Sequence, residues 1–232
     1  MSLRLLAAAA AIVVASPAFA ETRTVEVGAF TNIDIASGIT AEVAVGPAMP
    51  VTVEGPRGDI LDRLRIVVEG DTLKAWIDWS IFDIFVPTER NILLRISVPE
   101  IASIESSSGA KVTATGVAGS SLSFESSSGA SLTALGVIGD TYRLESSSGA
   151  SLTVDGTCTT AHLDTSSGAS IHAEKLICAD VTADSSSGAY AAIGVNGKIK
   201  ADASSGGALV FEGRPTAIEQ DSDSGGSIAI HP

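Results

Sequence analysis

The six residues Glu105-Ser106-Ser107-Ser108-Gly109-Ala110 constrain this chain most, because they return letter for letter at Glu125–Ala130 and Glu145–Ala150. Related copies carry Gly168, Gly188, Gly206 and Gly225, each with an acid four positions earlier, so the glycines recur every 18 to 20 residues. A fixed period of that length marks a solenoid. Each repeat forms one coil and buries its apolar face only when a neighbour stacks on it.

Counting from each glycine shows which residues face inward. Offset +3 holds Val112, Leu132, Leu152 and Ile171, and offset −5 holds Ile104, Phe124, Leu144 and Leu163. Offsets −7 and +5 are also largely apolar. Successive side chains of a strand point to opposite faces, so odd offsets face the core. Offsets −3 and −1 are odd too, yet they hold Ser or Thr almost throughout. These hydroxyls are expected inside or at a corner, as ladders in which each serine donates to the next. Glycine supplies the backbone freedom for the bend. Even offsets face outward. At −4 this gives a column of carboxylates: Glu105, Glu125, Glu145, Asp164, Asp184, Asp202 and Asp221.

Coils of about 20 residues that all run the same way imply an all-β chain, a right-handed parallel β-helix. The hand follows the general preference of parallel crossovers. Residues 1–20 read as a signal peptide: Arg4, an apolar run from Leu5 to Val14, and Ala18-Phe19-Ala20 before a cleavage point at Glu21. Residues 21–232 then form a single β-helix domain. Its first part, 21–104, comprises irregular coils, and 105–232 the regular Ser-Ser-Gly coils. Asp34 and Gly38 already stand in the relation of a repeat. Trp76, Trp79, Phe82 and Phe85 are read either as a cover over the first coils or as an aromatic platform for a glycan or protein. Cys158 and Cys178 each lie ten residues before a repeat glycine, hence at the same site on adjacent coils. Stacked coils about 4.8 Å apart lie within disulfide range, and a Cys158–Cys178 bridge is expected in an oxidising compartment.

A net charge of −13 with only 14 Lys and Arg argues against nucleic acid as a partner. After cleavage no segment is long and apolar enough to span a membrane as a helix. The product is therefore expected to be exported, to the periplasm, the cell surface or beyond. The ordered series Phe30-x-x-Ile33-x-Ile35-x-x-Gly38, Val51-x-Val53-Glu54-Gly55, Gly70-Asp71-x-Leu73 and Val98-Pro99-Glu100-Ile101-x-x-Ile104, followed by the Ser-Ser-Gly coils, resembles the head GIN domain family of auto-transporter adhesins. The resemblance implies a parallel β-helix that binds an envelope or extracellular protein or glycan, and brings no catalytic residues with it. The aromatic run and the lack of room for a translocating barrel depart from that family.

No cofactor is expected. The carboxylate column is read as a solvated face, with weak Ca²⁺ binding as its alternative; the nonapeptide of calcium-binding β-rolls is absent. His162, Asp164 and Ser166 share the outward side of one strand. Alternate residues sit about 6.6 Å apart, too far for a hydrogen-bonded triad. The function expected is a non-enzymatic binding module. A structural scaffold and, behind it, a polysaccharide-active enzyme are the alternatives.

Overall fold

The computed structural model describes residues 20–56, 59–78 and 91–232. The expected signal peptide thus lies outside the described residues except for Ala20, where the first strand begins. In chain order the elements begin with β1 (Ala20–Val25), β2 (Asn32–Ile35), β3 (Thr40–Val45) and β4 (Val51–Pro56). A single helical turn α1 (Asp59–Asp62) and β5 (Leu64–Glu69) follow, then β6 (Thr72–Ile77), β7 (Leu93–Val98), β8 (Ser103–Ser106) and β9 (Lys111–Thr115). The regular part comprises β10 (Ala118–Ser126), β11 (Ser131–Ser146), β12 (Ser151–Thr165) and β13 (Ser170–Ser185). It ends with β14 (Tyr190–Val195), β15 (Lys198–Ala203), β16 (Ala208–Glu212), β17 (Ala217–Ser222) and β18 (Ser227–His231).

These strands stack as a parallel β-solenoid, with each Ser-Gly corner joining two walls. Along the wall before the corner the order is β6, β2, β8, β10, then the C-terminal halves of β11, β12 and β13, then β15 and β17. Along the wall after it run β7, β3, β9, the N-terminal halves of β11 to β13, then β14, β16 and β18. The registers align equal offsets: Phe124 lies on Leu144, Leu144 on Leu163, and Leu132 on Leu152. Alternation decides burial in most of the stacked coils, though Ala192 at an even offset is buried and Ile218, at an odd offset on the terminal strand β17, is 50% exposed because no further coil covers it. Ile104, Val112, Phe124, Leu132, Leu144 and Leu152 are all at most 2% exposed.

The hydroxyl positions divide. Ser106, Ser126, Ser146, Thr165 and Ser185, at offset −3, are buried. The serines at −1 are not in the interior. Ser108, Ser128, Ser148, Ser167, Ser187, Ser205 and Ser224 lie exposed at the corner with φ between 46° and 55°. Each is followed by a glycine that also has positive φ, and the turn closes with a bond such as Ala130 N–H to Ser127 C=O at 3.0 Å. Two left-handed residues in a row take the serine side chain out of the strand while preserving the parity beyond them. The corners are also joined to one another. Gly109 N–H donates to the Ser128 carbonyl, Gly129 to Ser148 and Gly149 to Ser167, at 3.1–3.2 Å. The side-chain ladder is only partial: Ser106 and Ser126 share a bond of 3.1 Å, and Ser185 donates to the Ala189 carbonyl. Ser146 Oγ and Thr165 Oγ1 are buried with no partner among the described residues.

Spatial order departs from chain order at the N-terminal end. The coil formed by β2 and β3 lies between that of β6 and β7 and that of β8 and β9. The edges at this end are closed by antiparallel strands, β5 on β6, and β4 on β7 with β1 on β4. Leu61 of α1 packs against Gly55, where an added Cβ would stand 2.8 Å from its side chain. Closing strands of this kind stop further coils from pairing. Of the aromatic run, Trp76 stands half-buried on the outer side of β6, opposite Arg65, while Trp79, Phe82 and Phe85 lie outside the described residues. Cys158 and Cys178 are partners in register and form a disulfide with Cα atoms 4.5 Å apart.

Candidate functional site

The registers bring all seven predicted acids into one row. Glu105 pairs with Glu125, Glu125 with Glu145, Glu145 with Asp164, and onward through Asp184 and Asp202 to Asp221. The row is one longer than expected, because Asp34 of β2 precedes Glu105 and Lys74 of β6 closes it. Asp34's offset of four before Gly38 was the signal for this.

Like charges at strand spacing repel, and partial burial adds a desolvation cost. Burial first, then Glu125 and Asp34, push the Glu105 carboxyl above its usual range. Burial also raises Asp34, against the opposing pull of Lys74. Glu145 is raised by burial although Arg143 forms an ion pair with it. Asp184 is raised by burial and then by Asp202 and Asp164. A shallow cavity of about 220 Å³ runs along Glu125, Glu145 and Asp164. Among the described residues no group of three or more His, Cys, Asp or Glu side chains is arranged to hold a metal ion. The row can attract counterions along its length. His162 is exposed on β12 beside Arg143 and Thr182 of the adjacent strands.

Two apolar clefts escaped the sequence reading. The loop between β3 and β4 is tied to β7 by Met49 N–H to the Ser97 carbonyl at 3.1 Å and Ser97 Oγ to the Pro47 carbonyl at 2.8 Å. Met49 and Pro50 consequently stand between two cavities. One, of about 560 Å³, is lined by Val27, Phe30, Met49, Pro50, Val98 and Pro99, with Glu26, Asp71 and Glu100 at its polar positions. The other, of about 550 Å³, lies against the outer face of β7, β3 and β9, with Arg95, Glu42 and Thr113 in one row beneath it. Met49 is 61% exposed and adds its apolar surface to both clefts. The only signal in the sequence was an apolar Ala48-Met49-Pro50 in a segment that otherwise reads as a turn.

The family model described as "Putative auto-transporter adhesin, head GIN domain" matches residues 29–215. The chain belongs to the head GIN domain family. No curated protein matches it. The GIN-domain chain shares its fold with a "putative adhesin" from Bacteroides fragilis, at a TM-score of 0.83 and 19% identity over 91% of this chain and 97% of the other. A "putative lipid binding protein" from Parabacteroides distasonis superposes with a TM-score of 0.66 and 14% identity, covering 92% and 97%. A "putative adhesin" from Parabacteroides merdae does so with 0.66 and 12%, covering 92% and 96%. At these identities the likeness establishes the fold of the GIN-domain chain. Among the described residues no helix is long and apolar enough to cross a membrane.

Proposed function

We propose that the GIN-domain chain is an exported, non-enzymatic binding module of the cell envelope, acting in the periplasm or at the cell surface. The observation that carries this reading is the register, which lays out polar side chains in rows. The carboxylates form one row, and Thr113, Thr133 and Thr153 form another on the second wall. Rows at about 4.8 Å spacing offer an extended repetitive contact surface. General acid–base or nucleophilic chemistry needs unlike groups converging on one point. The adhesin names of the family and of its structural neighbours support binding as the role.

Residues 1–20 act as the export signal, and 21–232 as one domain. Cleavage before Glu21 leaves the pairing of Glu21 with Gly55 in place. Trp76, Trp79, Phe82 and Phe85 are a proposed part of the contact surface, which one relative's "lipid binding" name suits as well as a protein or glycan does. A scaffold is the second reading, favoured by the bonded corners and the disulfide, which stiffen the solenoid. Immobilised mature chain exposed to envelope extract and to a glycan array tests the proposal. Saturable retention of a component, without new reducing ends from bound polysaccharide, is the expected result. New reducing ends would overturn the non-enzymatic part, and no retention would leave the scaffold reading in its place.

A further inference from the structure

The two clefts beside Met49 carry charge as well as apolar surface, and the charge narrows what they can hold. The first has three carboxylates, Glu26, Asp71 and Glu100, and no Lys or Arg among its described lining residues. In the second the one cation among the described lining residues, Arg95, is already engaged by Glu42 at 3.1 Å and by Glu54. An apolar ligand with an anionic end, such as a fatty acid, would bring its carboxylate against this acidic rim. A ligand with cationic flanks would be drawn to it. Between the clefts, Met49 is an unbranched, polarizable side chain able to repack around different apolar groups.

We infer that the paired clefts bind an extended peptide segment of a partner protein, seating apolar side chains on either side of Met49 while flanking Lys or Arg face Glu26, Asp71 and Glu100. In an extended segment alternate side chains share a face about 6.6 Å apart, so one peptide can present two anchors to one surface. The inference rests on the binding reading above and specifies the chemistry of the partner.

The probe is the labelled, end-blocked peptide Lys-Lys-Phe-Ser-Leu-Lys-Lys, titrated by fluorescence anisotropy against the mature chain. Controls are the same peptide with Ser replacing Phe and Leu, the same peptide with Glu replacing every Lys, and phosphatidylcholine vesicles. The Phe/Leu cationic peptide should bind at least tenfold more tightly than either peptide control, and more weakly as salt rises. Met49→Lys should weaken it at least tenfold, and the double variant Glu26→Lys/Glu100→Lys about fivefold with a shallower salt dependence. All three side chains are exposed, and melting temperature verifies that the variants fold. Equal binding of the serine peptide would reduce the effect to bulk charge and overturn the inference, as would equal binding of the glutamate peptide or binding of vesicles alone. If Met49→Lys still retains its envelope component as the unaltered chain does, the clefts are not the contact, and the wider binding reading survives.

Discussion

At the scale of the residue, each corner holds a serine in a backbone region that disfavours any L side chain, by about 1–2 kcal/mol. A branched β-carbon is worse there. Ser148→Val should lower stability by about 1–2 kcal/mol, whereas Ser151→Val, at a half-buried strand position, should stay within about 0.5 kcal/mol; urea unfolding midpoints measure both. The buried hydroxyls predict opposite signs for one chemical change. Ser146→Ala removes an unpartnered group and should stabilise by about 1 kcal/mol, while Ser126→Ala strands Ser106 and should destabilise by a similar amount. Alternation made the inward hydroxyls at −3 legible in advance. It could not show that the serines at −1 turn outward, because parity counts residues and is blind to a two-residue turn that leaves the count unchanged.

At the scale of the element, the bridge between adjacent coils closes a span of 20 residues. Removing it with Cys158→Ala/Cys178→Ala should cost about 3 kcal/mol, seen as a lower unfolding midpoint with the fold retained by circular dichroism. Here the sequence was informative, because two cysteines at one offset on successive repeats are neighbours in any stacked arrangement. The coil of β2 and β3 was a different matter. Its own repeat could be recognised from Asp34 and Gly38, but its place between two coils that come later in the chain could not. Periodicity tells how coils look and not which edge the next one takes. The clefts at Met49 were hidden for a related reason, since they arise where the loop after β3 folds back on β7, and no repeat describes that loop.

At the scale of the whole molecule, the acid row makes stability depend on pH. The carboxyls of Asp34, Glu105, Glu145 and Asp184 hold protons more tightly in the folded chain than in the unfolded one. Their cost is thus fully present at neutral pH and is relieved as pH falls through their raised values toward the ordinary carboxylate range. Melting temperature should rise on going from pH 7 to pH 5, and moderate salt at pH 7 should act in the same direction. Glu105→Gln/Asp184→Asn should flatten the profile; a melting temperature that falls over this interval would contradict the account.

The sandwiched position of the first coil has a mechanical consequence. Drawn from its tail, the molecule can come away turn after turn like cord from a reel, halting where the sulfur bridge ties two turns together. Drawn from its head, it yields only the edge strand, which is held on one side, because the leading turn behind it is gripped on both. Force applied at opposite ends of this chain should therefore meet unequal resistance, with the head as the firm anchor and the tail as the end that gives.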